Sequence, residues 1–269
     1  MAMAATNWAN GRGDGLSTPL TGHLALVTGA GGGVGCAIAK AYAAAGADLV
    51  LLGRDQDKLR SLSTQPEFAE RKLKVLSLDL SLQHSVEDLR RALRTREGRL
   101  PDLLVNNAGV GQGLARLPVR SVLDVDQALW ELMFATNVRG PLLLMQALLP
   151  EMVSKQSGRI INITSRLAHR PVLGSAPYGP SKAALDQLTR VVAAEFGDAG
   201  IRANLLHPGG PIRTGIFTDN WPIPSSAEVA DAAIMGPPAV WLASPAATAI
   251  NGTTINARTW QGPEEGIQS

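Results

Sequence analysis

Leu24-Ala25-Leu26-Val27-Thr28-Gly29-Ala30-Gly31-Gly32-Gly33-Val34-Gly35 is the stretch on which the fold turns. Four apolar residues make a short strand, the glycines make a loop, and an Ala-rich segment with helical periodicity follows. Strand, glycine turn and helix in that order is the context that a dinucleotide-binding loop requires. Gly29 allows the tight turn, Gly33 lets backbone approach a pyrophosphate, and Gly35 lets helix and strand pack closely. The helix N-terminus then turns free N–H groups and the positive end of its dipole toward phosphate. Taken alone, a glycine loop is a weak signal and reads equally as a flexible turn.

Outward from this unit, short apolar runs alternate with helical patterns along the chain. Strands are predicted at Leu24–Thr28, Asp48–Leu52, Lys74–Leu78, Leu103–Asn106, Arg159–Thr164, Arg202–His207 and Thr253–Ala257. Helices are predicted at Val34–Ala45, Gln56–Ser63, Ser85–Arg96, Asp126–Val153, Tyr178–Phe196 and Ala227–Ala243. The strands are continuously hydrophobic, as befits strands covered on both faces. The expected fold is therefore α/β: a Rossmann-type, doubly wound parallel sheet of about seven strands in three α/β/α layers. One domain is expected over 21–269. The first twenty residues, Met1 to Leu20, are Ala-, Asn- and Gly-rich without a continuous apolar core, and read as a disordered extension rather than a targeting peptide.

Composition narrows the function classes. Lys+Arg 25 against Asp+Glu 23 gives a net charge of +2, too little to argue for nucleic acid or an anionic membrane. The apolar run Leu142–Leu149 lies between Pro141 and Pro150, is broken by Gln146, and falls far short of the ~20 residues a membrane span needs. A lone cysteine, Cys36, excludes an internal disulfide and fits a reducing, cytoplasmic setting. It reads as a small packing residue. The four histidines, His23, His84, His169 and His207, lack metal-ligand spacing, so no metal is expected.

The chemistry is carried by Tyr178 and Lys182, thirteen and seventeen residues after Ser165. A tyrosine with an ordinary pKa near ~10 is a poor acid/base at neutral pH. Four residues apart on a helix, the Lys182 ammonium shares a face with the Tyr178 phenol and is expected to favour phenolate. Pro180 fits the first turn of that helix.

The end of the second strand sets the cofactor. An NAD site places a carboxylate there for the ribose 2′-OH, whereas a 2′-phosphate calls for arginine. Here Gly53 stands where the acid would be and Arg54 follows, which favours NADP(H) over NAD. Asp55 is the alternative ribose acceptor, and Arg54 reads otherwise as a solvated helix-start residue. Asp79, after the third strand, is expected near the adenine.

Thr28 to Gly35, Asn106-Asn107-Ala108-Gly109, Asn137, Asn162-Ile163-Thr164-Ser165 and Tyr178-Gly179-Pro180-Ser181-Lys182 come in the order of five motifs. On these the chain resembles the short-chain dehydrogenase/reductase family over 21 to about 257. The resemblance implies an enzyme that interconverts a ketone and a secondary alcohol by hydride transfer to or from a nicotinamide. It implies Tyr178 as general acid or base, Ser165 polarising the substrate oxygen, Lys182 lowering the phenol and binding the ribose, and Asn137 anchoring a water. The cofactor contacts it implies, with those read above, are Gly29, Gly33, Val34, Gly35, Arg54, Asp79, Leu80, Asn107, Ala108, Gly109, Tyr178, Lys182, Pro208, Gly209 and Thr214. It also implies a homodimer or homotetramer built on the two long helices, and a small carbonyl or alcohol substrate. Two readings compete: a dinucleotide-binding regulator without turnover, and a Tyr/Lys epimerase or dehydratase of nucleotide sugars. The chain departs from the family's pattern after the sixth strand, where Pro208-Gly209-Gly210-Pro211-Ile212-Arg213-Thr214 is one residue longer, and at the tail, where Arg258 replaces an acid.

Other features are weaker. Arg90, Arg91, Arg94, Arg96 and Arg99 interleave with Glu87, Asp88 and Glu97 and read as a solvated face. His169 and Arg170, between Ser165 and Tyr178, read as a surface loop pair, with contact to an acidic substrate as the alternative. Gly215–Pro224, carrying Ile216, Phe217, Trp221 and Ile223, reads as a lid suited to an apolar or ring-bearing substrate, or as a loop pinned to the core.

Overall fold

The structure, a computed structural model, describes residues 18–111, 121–213 and 228–263. Seven parallel strands form one sheet in the order β3-β2-β1-β4-β5-β6-β7. They are β1 (Leu24–Thr28), β2 (Asp48–Gly53), β3 (Leu73–Ser77), β4 (Leu103–Asn106), β5 (Gly158–Ile163), β6 (Ile201–His207) and β7 (Thr254–Asn256). The order reverses between β1 and β4, so the crevice of a doubly wound sheet opens beyond their carboxyl ends. The first four helices in the chain are α1 (Gly33–Ala44), α2 (Gln56–Ser63), α3 (Val86–Leu93) and α4 (Gln127–Phe134). Three follow α4: α5 (Gly140–Ser154), α6 (Tyr178–Phe196) and α7 (Gly236–Ala243).

Strand side chains alternate between two cores. Ala25 and Val27 face α1 and α7, where Ile38, Tyr42 and Trp241 are buried. Leu24 and Leu26 face the other layer, with Leu93 of α3, Leu144 and Leu148 of α5 and Val192 of α6. Both faces are thus dry, which explains strands without polar alternation. Leu20 is fully buried, and its N–H donates to the Ala45 carbonyl at 2.9 Å. The packed chain therefore starts before Thr21, earlier than the expected end of the extension; residues 1–17 lie outside the described residues.

Two helices differ from expectation because of proline. The single helix expected over Asp126–Val153 is α4 and α5 joined by a π-turn, Ala135–Arg139. Pro141 has no N–H for the Asn137 carbonyl four residues back, and its ring crowds that oxygen, so the backbone widens by one residue. The helix expected over Ala227–Ala243 becomes a 3-10 turn, Ala232–Met235, capped by Asp231, and then α7, which restarts at Gly236-Pro237-Pro238. The helix expected over Ser85–Arg96 stops at Leu93, where Arg94 turns extended and its guanidinium bonds the Gly98 carbonyl at 2.7 Å. The remaining arginines are dispersed rather than gathered: Arg90 meets Glu151 at 3.8 Å, Arg91 meets Asp88 at 3.2 Å and Arg99 meets Asp48 at 3.6 Å. Among the described residues Gln127–Ser154 is long and apolar enough to cross a membrane, yet Leu144, Met145, Leu148 and Met152 pack against the sheet.

Candidate active site

The glycine loop is held shut by its neighbours. Gly29 has φ +65°, and a Cβ at Gly35 would lie 2.3 Å from the Gly29 carbonyl oxygen, so the turn passes over the first coil of α1 with no room for side chains. Asn107 braces it: its amide donates to the carbonyls of Thr28 at 2.9 Å and Gly29 at 3.3 Å. The Thr28 hydroxyl accepts the N–H groups of Asn107 and Ala108, both at 2.9 Å. The Asn107 side chain is thereby spent on the loop. Asp55, Ser85 and Asp126 cap α2, α3 and α4 with side-chain oxygens, whereas α1, preceded by Gly32, has no side-chain cap and no acid in its first turn. Its leading N–H groups are thus met by no side-chain cap, which is compatible with the anion expected there.

At the end of β2, Gly53 leaves no carboxylate, and Asp55 is committed to capping α2 and to Lys58 at 3.4 Å. Arg54 is largely exposed, with Asp79 at 4.0 Å. Burial raises the Asp79 carboxyl, but the Ser81 hydroxyl and N–H and the Arg54 charge outweigh it and hold the group below its usual value. Leu80 is buried behind it.

On the other side of the crevice α6 delivers Tyr178, Ser181 and Lys182, all buried. Ser165 opens the 3-10 turn Arg166–Ala168 after β5, and its side chain hydrogen-bonds the Tyr178 phenol. Asn137, held in the π-turn, accepts the Val110 N–H at 2.9 Å and donates to the Val110 carbonyl at 3.0 Å and the Ser181 hydroxyl at 3.0 Å. The Ser181 hydroxyl in turn donates to the Tyr178 carbonyl at 2.7 Å. A Cβ on Gly109 would lie 3.2 Å from Asn137 Oδ1 and 3.4 Å from Lys182 Nζ, so Gly109 leaves open the recess that these two groups border.

One expectation fails here. The Lys182 ammonium donates to the Ile163 carbonyl at 2.8 Å and stands 5.8 Å from the Tyr178 ring centroid. Burial pushes the phenol up to about 12 against the opposing Ser165 bond, so in this arrangement desolvation outweighs the pull toward phenolate expected from Lys182. Burial likewise lowers Lys182 to about 8, with Asp186 opposing the fall.

Several residues beyond the expected set converge on this region. Asp186, one turn below Lys182, accepts from the Thr164 hydroxyl. His169 Nε2 lies 2.8 Å from Asp186 Oδ2, at ion-pair distance though without hydrogen-bond geometry. His169 and Arg170 are both exposed, as expected of a surface loop pair, with the His169 Nε2 turned toward Asp186. His207 Nδ1 accepts the Gly209 N–H at 3.0 Å and so shapes the turn after β6. Arg258 covers Gly210 and donates to the carbonyls of Pro211 and Glu228, each at 3.2 Å. The tail's departure from an acid thus produces a brace for the lengthened loop. Pairing of Asn106 with Asn162 at 2.7 Å keeps that asparagine inside the sheet. Thr214 and the Gly215–Pro224 segment lie outside the described residues. Only the i,i+4 spacing of Lys182 and Asp186 could have signalled the acid in advance.

The family model for short chain dehydrogenases matches residues 23–222. The chain belongs to the short-chain dehydrogenase family. An uncharacterised oxidoreductase of Staphylococcus epidermidis is 33% identical over 186 residues, 69% of this chain and 76% of that protein. One from Staphylococcus aureus N315 is 33% identical over 192 residues, covering 71% and 79%. Among solved structures, a protein of Shigella flexneri assigned as a short chain dehydrogenase and complexed with NADP superposes with TM-score 0.79 at 27% identity, over 90% of this chain and 100% of that one. This short-chain dehydrogenase is accordingly a dehydrogenase/reductase with a fold that binds NAD(P) and acts on small molecules.

Proposed function

We propose that the protein is an NADP(H)-dependent reductase of ketones, with Tyr178 as the proton donor. The observation that carries this reading is the meeting of Ser165, Tyr178 and Lys182 at the carboxyl end of β5, with the serine hydroxyl bonded to the phenol. When bound, the nicotinamide supplies or takes up the hydride. Everything else falls to side chains of this chain. Ser165 holds the substrate oxygen beside the phenol and polarises it, and Tyr178 delivers a proton to that oxygen as it gains charge. A phenol kept protonated by burial suits donation, the direction of carbonyl reduction. Lys182 holds the ribose from the floor of the site, Asn137 orders the water that resupplies the proton, and Ala108 and Gly109 border the adenosine side. Arg54 reads the 2′-phosphate, since the carboxylate an NAD site needs at Gly53 is missing and Asp55 is occupied. Pro208 and Gly209 meet the carboxamide end. The substrate is a small ketone, and the active form is a homodimer or homotetramer. A screen of NADPH oxidation across ketones and quinones tests the reading: turnover by the wild type that Tyr178→Phe abolishes supports it, and equal rates overturn it.

A further inference from the structure

Among the described residues, Lys182 and Asp186 are the only Lys, Arg, Asp or Glu side chains that are fully buried, at 4% and 1% exposure. They stand four apart on α6, so they share one face of the helix, the face turned to the sheet. Water is excluded from both. The Lys182 ammonium has a neutral hydrogen-bond acceptor, the Ile163 carbonyl, and a buried charge served only by a dipole is unfavourable unless an opposite charge stands near. Asp186 is that charge.

Its two oxygens reach toward the strand end. Oδ1 accepts from Thr164, the residue before Ser165, and Oδ2 faces His169, four residues after it. The carboxylate is therefore bonded to the residue before Ser165 and stands beside His169 after it, while lying one turn below Lys182. We propose that Asp186 is a positioning residue for the Ser165–Tyr178–Lys182 centre, the buried counter-charge that keeps Lys182 an ammonium and the anchor that fixes the turn carrying Ser165.

Among the described residues few other charged or titratable groups face this pair, and Tyr178, whose ring lies 5.8 Å from Lys182 Nζ, is one of them. Arg190 follows one turn on along α6, His169 comes from the loop, and His207 of β6 faces His169. Burial acts against both partners, lowering Lys182 and raising Asp186, while Thr164, His169, Arg190 and Lys182 oppose the rise of the acid. The inference rests on the proposed function only for what Lys182 does with the ribose; the charge pairing stands apart from it.

The test is a direct titration of Lys182 in the full chain labelled with 13C at the lysine ε-carbon, its resonance identified by its loss in Lys182→Met. Asp186→Asn keeps size and hydrogen bonding but removes the charge, and should lower the Lys182 midpoint by about one pH unit or more. Asp186→Glu, which keeps the charge, should restore most of it. Thr164→Val strips the carboxylate of a donor and so favours its neutral form; it should move the midpoint the same way, and decides the matter if Asp186→Asn does not fold. A merely structural Asp186 would change the melting temperature and leave the midpoint where it was, which overturns the proposal. NADPH affinity, measured separately, tests the proposed function: a wild type that binds none refutes that function, while the lysine midpoints still decide the role of Asp186.

Discussion

Pro141 stands four residues after Asn137 in the helical run that ends at Ser154, and has no N–H to offer the Asn137 carbonyl. The π-turn that results carries the Asn137 side chain to Val110 and Ser181, and through Ser181 to the Tyr178 backbone. A helix fault is thus part of how the site is assembled. Pro141→Ala restores the missing donor and allows the turn to tighten toward α geometry. Turnover should fall about tenfold or more, as for a misplaced catalytic group, with the melting temperature held or raised. Unchanged turnover in a well-folded variant would show that the turn does not position Asn137.

Arg54 offers the sharpest test of cofactor choice. Charge-assisted hydrogen bonds contribute about 1.5–3 kcal/mol each, so Arg54→Ala should weaken NADPH at least tenfold and leave NADH nearly unchanged. Titrating both dinucleotides by fluorescence reads the difference. Equal losses would mean that Arg54 supports the fold of the turn and does not read the phosphate.

Tyr178→Phe removes the ionisable oxygen and keeps the ring that packs with Val110, Leu129, Met133 and Leu167. Fold and NADPH binding should survive while turnover falls by ~10²–10⁴, the usual loss for a general acid/base. In the free enzyme, the ultraviolet titration of wild type minus this variant should place the phenol well above its ordinary value, toward about 12, because burial disfavours phenolate. A midpoint below ~10 would instead restore the direct Lys182 effect expected from their spacing.

His207 makes stability depend on acid. Burial, then the charges of His169 and Arg166, lowers it to about 4, and a proton on Nδ1 would displace the Gly209 N–H. Its folded value lies below the unfolded ~6.5, so the unfolded chain binds more protons between the two. The stability it contributes is therefore complete above about pH 6.5 and is lost as pH falls toward 4, on the order of 3 kcal/mol at most. Urea midpoints across that range should be flatter by about one proton in His207→Asn, whose side-chain oxygen can still accept the N–H. A slope equal to that of the wild type would place the acid sensitivity elsewhere.

Association should be seen by light scattering at micromolar concentration, as at least a dimer. Leu149, Pro150 and Val153 of α5 and Phe196 of α6 line an apolar recess on the outer side of the two helices, a surface that a second chain would cover. A monomer mass would refute this.

Local chemistry made much of the protein legible in the sequence. Apolar runs of four to seven residues, a glycine loop between strand and helix, and a Tyr–Lys pair one turn apart each constrain their own neighbourhood, because backbone sterics and helix periodicity act over a few residues. The strand positions, the doubly wound sheet and the shared face of Tyr178 and Lys182 follow from such signals, with β1, β4 and α6 found at the expected residues, whereas Ser165 was expected beside them only through the family resemblance. Helix ends were legible only where the stop is local. Gly236-Pro237-Pro238 and Pro141 carried their signals in plain view, yet whether a proline ends a helix, restarts it or bends it into a π-turn depends on what surrounds it.

The tertiary structure alone decided the electrostatics. The i,i+4 spacing of Tyr178 and Lys182 is a fact of sequence, but the ammonium bonds Ile163 because β5 passes beneath it, and the phenol rises because its surroundings are dry. Asp186 is 22 residues from Thr164 and 17 from His169 along the chain and meets them only when α6 closes on β5 and its loop. Arg258 reaches Gly210 across an even longer separation. Interactions of charge depend on burial and on distance through space, and neither is written in the order of the residues.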